Sequence, residues 1–279
     1  MNEHKKELIR KFSKNKLGMV GAFLVGIVIL LAIFAPFISP YSPEEMDLIN
    51  KREGPQKSHF FGTDKFGRDI FSRIIFGSRV SLTVGIISVG IGVFFGIFLG
   101  LYAGYTGNII DNVIMWFMDI LMSFPSILLA LVVVTVLGTS LTNTMIAIGI
   151  TYIPVFTRII RGSVMEIKDQ EFVEAARATG LKDAFILFKH ILPNVMAPII
   201  VQATLALSGA ILTEATLSFL GLGVQPPMPS WGSMLSNARS YMELAPWTVI
   251  FPSLAIMFSV LGFNILGDGL RDVLDPKLN

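Results

Sequence analysis

The chain has 279 residues, of which 53% are hydrophobic and 15% are charged, and its mean hydropathy is +0.68. Soluble domains carry about a quarter charged residues, so this composition predicts a protein of the lipid bilayer. The net charge of +2 comes without a basic, aromatic-rich patch, which argues against nucleic-acid binding, and the absence of cysteine excludes disulfides and thiolate sites. His4, His59 and His190 show no ligand spacing, so no metal site is predicted.

The first apolar run, residues 17–38, is uncharged and long enough to cross the hydrocarbon core as a helix. A basic tail, residues 1–16, precedes it and contains Lys5, Lys6, Arg10, Lys11, Lys14 and Lys16. Near the other end only Lys51 and Arg52 are basic. Because basic residues concentrate on the cytosolic side of membrane spans, the sequence predicts a cytosolic N-terminus and an extracytoplasmic loop over residues 39–79.

The end of this loop mixes apolar and basic residues at helical spacing, which predicts an amphipathic elbow along the membrane interface. Gly62 and Gly67 have the spacing of a phosphate-binding loop. Arg68 and Asp69 stand where such a loop needs Lys and Ser or Thr, however, so no nucleotide site is predicted here. Any ATPase that drives this protein must therefore be a separate subunit.

Five further spans are predicted at residues 81–104, 111–137, 143–160, 195–222 and 247–266. Together with an outer loop, 223–246, they form a core over residues 80–268, and a cytosolic tail, 269–279, follows. Four glycines repeat along one face of the second span and predict close helix packing: Gly92, Gly96, Gly100 and Gly104. Pro125 predicts a kink in the third span. The sequence thus predicts an all-α polytopic membrane protein with six transmembrane helices and both termini in the cytosol.

A charged segment, residues 163–194, interrupts the apolar runs and lies on the cytosolic side of this topology. Apolar residues at helical spacing predict one helix over residues 169–179, ended by Gly180, which adopts a left-handed conformation at little cost. Asp183 is placed to cap a second helix, and Pro193 to end it. Two such short helices cannot bury their apolar faces alone, so we expect the segment to dock on another protein.

Two carboxylates lie within predicted spans, Asp119 and Glu214. Either one forms a hydrogen bond to a neighbouring helix or lines a solute path. An ion-coupled secondary transporter would use both, and this is the main alternative to an ATP-driven protein. A membrane scaffold without transport is a third. The sequence has no motif of a hydrolytic enzyme, so we expect no catalytic residues.

The segment Glu174-Ala175-Ala176, with Gly180 and then His190-Ile191-Leu192-Pro193, resembles the EAA signature of permease subunits of bacterial ABC importers. The general signature has an apolar residue where His190 stands, and this departure resembles the peptide and nickel branch. Three further stretches are similar to that branch, so the resemblance covers nearly the whole chain: Gly62-Thr63-Asp64 with Gly67-Arg68-Asp69; Ser218 to Pro227 with Ser230-Trp231-Gly232; and Asn264 with Gly267 to Asp272 and Asp275-Pro276.

The resemblance implies a type I importer permease of a bacterial or archaeal inner or plasma membrane, carrying dipeptides or oligopeptides. It also implies a second homologous permease, two ATPase subunits that bind ATP and Mg²⁺, and an extracytoplasmic binding protein, while this chain binds no cofactor. The residues implied to couple to an ATPase are Glu174, Ala175, Ala176, Gly180, Leu181, Lys182 and Asp183. Pro193 is then expected to end the coupling loop.

Overall fold

A computed structural model describes residues 3–274. Regular structure in this part of the chain is helical, apart from one isolated bridge between Thr63 and Asp69. The α-helices are α1 (Glu3–Lys14), α2 (Lys16–Ile33), α3 (Ala35–Ile38), α4 (Ile70–Thr106), α5 (Asn108–Met122), α6 (Ser126–Leu137), α7 (Leu141–Ile167), α8 (Glu171–Ala178), α9 (Asp183–Phe185), α10 (Met196–Phe219), α11 (Trp231–Ala238) and α12 (Trp247–Leu274). The prediction of an all-α protein is confirmed.

The first span is shorter than predicted. The side chain of Asn15 accepts a hydrogen bond from the Gly18 backbone N–H and caps the start of α2, and the helix ends at Ile33. Pro36 lies in the first turn of the separate helix α3, where its missing N–H is tolerated. The predicted run over residues 17–38 is therefore one span followed by a single short helical turn.

The interfacial elbow predicted before the second span is replaced by a continuous helix. The Asp69 carboxylate accepts hydrogen bonds from the Ser72 backbone N–H and hydroxyl, both at 2.7 Å, and so caps α4 at its first turn. With 37 residues, α4 is about 55 Å long and extends beyond a hydrocarbon core of about 30 Å. The Arg79 guanidinium donates to the Ile33 carbonyl at 3.1 Å, which satisfies an acceptor at the C-terminus of α2.

The third span is broken and not merely kinked. Helices α5 and α6 meet at an angle of 90° across a short break, residues 123–125. Pro125 is the last residue of this break. Because Pro125 has no backbone N–H, it suits the position immediately before α6, where no helical hydrogen bond is required from it. Within the described residues, five helices are long and apolar enough to span a membrane, and the bent pair makes a sixth apolar segment. This arrangement fits the six predicted spans.

The glycine stripe of α4 lies against α7, the most enclosed of the long helices. A Cβ at each of the four positions would meet α7 within 2.4 to 2.8 Å, closer than real Cβ atoms approach. The contacts are Gly92 to Tyr152, Gly96 to Phe156, Gly100 to Ile160 and to the Thr157 carbonyl, and Gly104 to Val164 and to the Arg161 carbonyl. We call this contact the α4–α7 seam. Small residues allow two backbones to approach in this way.

The predicted C-terminal tail is helical as far as Leu274, because α12 continues past residue 266. It packs beside α2, where a Cβ on Gly21 would lie 2.4 Å from the Leu266 nitrogen. Asp275 and Pro276 lie outside the described residues. The first and last long helices therefore pair with each other.

Candidate functional site

The charged segment after α7 forms a compact helical element at the predicted cytosolic end of the spans. Helix α8 begins after Gln170, later than the predicted residue 169, because Gln170 has an extended backbone. Glu171 and Glu174 lie in its first turn and Arg177 in its last, where each charge complements the partial charge of the helix end. We call α8, the Gly180 turn and α9 the coupling segment.

Helix α8 has one anchored face and one free face. Val173 is fully buried and Ala176 is nearly so, and both join the core made by the spans. Phe172 and Ala175, one position earlier in each case, are exposed. Because residues three apart share a helix face, the anchored face holds α8 to the spans and leaves Glu174 and Ala175 exposed.

The turn after α8 depends on Gly180. Its φ angle is +75°, which is costly for a residue with a side chain, and its backbone N–H donates to the Arg177 carbonyl. Nothing lies within 4 Å of the position that a Cβ would occupy, so backbone conformation alone favours glycine here. The predicted helix end at Gly180 is therefore found, and the turn projects away from the spans.

The second helix differs from the prediction at both ends. Lys182 stands at the N-cap position, so Asp183 is the first helical residue and not the cap. Pro193 does not end the loop, because helical structure continues through a π-helical segment, Ile186–Ile191, and a 3-10 segment, Leu192–Val195, into α10. These irregular turns let the helix pass a residue without an N–H. The coupling segment is thus joined directly to the fifth span.

One contact of the coupling segment was missed by sequence reasoning. The Tyr105 hydroxyl at the end of α4 donates to an Asp183 carboxylate oxygen at 2.6 Å and accepts from Arg177 Nε at 3.2 Å. The hydrogen bond to Tyr105 raises the pKa of Arg177 above its ordinary value. Because 72 residues separate Tyr105 from Arg177, nothing local in the sequence signals this contact.

Two ion pairs join α5 to α7 towards the end of the spans that carries the coupling segment. The Asp119 carboxylate pairs with Arg158, and both side chains are roughly half exposed. Asp111 is nearly buried and receives two hydrogen bonds from Arg161, at 2.5 and 2.6 Å. Asp119 thus has a partner on a neighbouring helix, which was one of its two predicted roles.

Glu214 lies among hydroxyl groups near the predicted outer end of the fifth span. Its side chain is fully buried, accepts from the Ser218 hydroxyl at 2.7 Å and lies 3.5 Å from the Ser81 hydroxyl of α4. Ser218 in turn accepts from the Val224 N–H in the outer loop. The carboxylate therefore joins two spans and a loop, and it does not reach a surface of this chain.

Comparison with protein families decides the identity of the chain. Residues 96–279 match the family model of the binding-protein-dependent transport system inner membrane component. Residues 6–55 match the N-terminal transmembrane domain of oligopeptide transport permease C. The chain belongs to the binding-protein-dependent ABC importer permeases. It is a multi-pass protein of the inner or plasma membrane.

This permease is similar to known transport permeases over nearly the whole length of both chains. The dipeptide transport system permease protein DppC of Alkalihalophilus pseudofirmus is 52% identical over 98% of this chain and 90% of its own. The glutathione transport system permease protein GsiD of Shigella flexneri is 49% identical with the same coverage. GsiD of an Escherichia coli O6 strain is 47% identical. The predicted peptide branch of the family is therefore confirmed at the level of its relatives.

The fold of the permease is also found in a solved transporter. A chain of the inward-facing MetNI methionine ABC transporter superposes with a TM-score of 0.59 at 20% identity, covering 72% of this chain and 96% of its own. A second crystal form gives the same score with 73% and 97% coverage. The predicted type I importer permease fold is confirmed. Family membership leaves the ion-coupled alternative built on Asp119 and Glu214 without support.

Proposed function

We propose that this permease forms half of a peptide-translocating pore and that an ATPase subunit binds its coupling segment. The observation that carries the proposal is the division of α8 into an anchored face and a free face. Val173 and Ala176 fix the helix to the spans, while Phe172, Ala175 and Leu181 face outward. An exposed apolar surface beside charged groups is typical of a protein interface.

The sequence predicts no nucleotide site in this chain, so the proposed assembly places ATP hydrolysis in other subunits. ATP and Mg²⁺ bind to two ATPase subunits, which press on the coupling segment as they close. A second, homologous permease completes the pore, and an extracytoplasmic binding protein delivers the solute to the outer loops. The fold and the family support this assembly. Rigid-body movement of the docked helices then alternates the pore between its two openings.

The proposed cargo is a small peptide. Support comes from relatives of about half identity whose names assign them to dipeptide and glutathione transport. Both solutes contain peptide bonds and at least one free carboxylate, and we propose that this chemistry defines the class. Uptake of a labelled dipeptide by the reconstituted complex, with glutathione and a longer peptide as competitors, identifies the preferred solute. A complex that takes up none of the three contradicts the peptide assignment.

A charge in the exposed turn of the coupling segment tests ATPase binding directly. Leu181 is 38% exposed, so Leu181→Asp should leave the fold intact while placing an unpaired carboxylate in the proposed interface. We expect the permease to lose its ATPase during co-purification, since burying a lone charge is costly. The matched control is Leu244→Asp, at a leucine that is 71% exposed in the outer loop. Equal retention of the ATPase by both variants would refute the proposed interface.

A further inference from the structure

The hydroxyl of Tyr105 joins the two sides of the Gly180 turn to the end of α4. It receives a hydrogen bond from Arg177 and donates one to Asp183. Arg177 and Asp183 lie three residues before and three residues after Gly180. The Arg177 guanidinium also lies over the Tyr105 ring, with 4.9 Å between its central carbon and the ring centroid. A single residue of a transmembrane helix thus contacts both arms of the turn.

Few other contacts restrain the turn itself. Residues 177–185 are all exposed, and a Cβ at Gly180 would meet nothing within 4 Å. Core packing holds the chain on either side of the turn, through Val173 and Ala176 of α8 before it and through Ile186 and Leu187 of the π-helical segment after it. Within the described residues, the hydrogen bonds made by Tyr105 are the side-chain hydrogen bonds that link this exposed turn to a transmembrane helix.

Tyr105 also lies at the end of the α4–α7 seam. The preceding residue, Gly104, packs so closely against α7 that a Cβ there would lie 2.8 Å from the Arg161 carbonyl and from Val164. Close-packed contacts of this kind transmit displacement because they are hardly compressible. A force applied to the Gly180 turn can thus reach α4 through Tyr105 and α7 through the seam.

We propose that Tyr105 is a positioning residue of the coupling segment, whose hydroxyl fixes the angle between α8 and α9 and passes their movement to α4. The inference rests on the proposed docking of an ATPase at this segment. A merely structural role for the two hydrogen bonds would change the stability of the permease and leave the amount of peptide moved per ATP unaltered. The two roles are therefore distinguished by measuring uptake and hydrolysis together.

The test uses the whole complex, with both permeases, the ATPases and the binding protein, in proteoliposomes supplied with a dipeptide. Tyr105→Phe keeps the ring beneath Arg177 and removes both hydrogen bonds. We expect peptide uptake per ATP hydrolysed to fall about fivefold, a coupling loss at the lower end of the usual range, while ATP hydrolysis continues. The matched control is Tyr102→Phe, one turn earlier in α4, whose hydroxyl makes no hydrogen bond within the described residues.

A second variant keeps the test decisive if Tyr105→Phe assembles poorly. Asp183→Asn, at an exposed position, weakens the same contact and should lower uptake per ATP in the same direction. Combining the two should be no worse than Tyr105→Phe alone, because Tyr105→Phe already removes the contact with Asp183. An active wild-type complex whose uptake per ATP is unchanged by Tyr105→Phe overturns this inference alone. A wild-type complex without ATP-dependent uptake overturns the proposed function and this inference with it.

Discussion

The α4–α7 seam and the coupling segment belong to one core but are held in different ways. Along the seam, glycines bring two long helices into backbone contact over more than three turns. The coupling segment touches the core through a few side chains and leaves its turn exposed. The close packing of the seam favours movement of α4 and α7 as one rigid body. The exposed coupling segment is accessible to a partner protein. The permease combines a stiff transmembrane part with a lightly attached cytosolic one.

Breaking the seam should have the largest effect on the stability of the permease. A Cβ at Gly96 would lie 2.4 Å from the Phe156 Cβ, so Gly96→Leu should separate α4 from α7 and destabilise the permease by about 3 kcal/mol. Gly90→Leu is the matched control, because the same helix has open space at that position. Thermal unfolding of both variants in detergent measures the difference. Equal unfolding temperatures would mean that the seam does not hold the fold.

Two ion pairs join α5 to α7, one nearly buried and one exposed, and their loss should lower stability by different amounts. Asp111 is nearly buried and loses its bidentate partner in Arg161→Gln, which should destabilise the permease by about 2 kcal/mol. Arg158→Gln removes the exposed pair with Asp119 and should change stability by less than about 1 kcal/mol. The two unfolding curves, recorded at low and at high salt, provide the measurement. A larger loss of stability in Arg158→Gln than in Arg161→Gln would contradict the prediction that the pair of Asp111 and Arg161 contributes more to the fold.

Changing the turn of the coupling segment should alter stability less than breaking the seam does, and it should alter transport most. Gly180→Val forces a β-branched residue to a φ angle of +75°, which costs about 1 to 2 kcal/mol locally. We expect the spans to insert normally while ATP-driven uptake is lost. Gly162→Val is the control, since that glycine of α7 has open space around it and no positive φ angle. Normal uptake by Gly180→Val would count against a rigid turn.

Much of the fold could be predicted from hydropathy, because each span is a local, uninterrupted apolar run. The irregular points of the fold could not be predicted in this way. Asp69 caps α4 and so extends the second span outward, and the bend before α6 reaches 90° where a kink was expected. The π-helical and 3-10 turns around Pro193 carry a helix through a residue that usually ends one. These outcomes depend on caps and tertiary packing, which single-residue preferences do not contain.

The candidate site could be predicted in part. Charges interrupting an apolar sequence located the coupling segment, and the conformational freedom of glycine located its turn at Gly180. The pairing of Asp111 with Arg161 and the contact of Tyr105 with Asp183 were not predictable, because 50 and 78 residues separate the partners. Spacing within one helix reveals which residues share a face, but it does not reveal which helix lies opposite.

The most direct test asks whether an ATPase covers the exposed turn of the coupling segment. The sequence has no cysteine, so Leu181→Cys introduces a single thiol beside Gly180, and Leu244→Cys introduces a matched one in the outer loop. Labelling each variant with a polar maleimide, with and without bound ATPase, measures protection of the two positions. We predict that the ATPase blocks labelling at position 181 and leaves position 244 unchanged. Equal labelling of position 181 in both states would contradict the account.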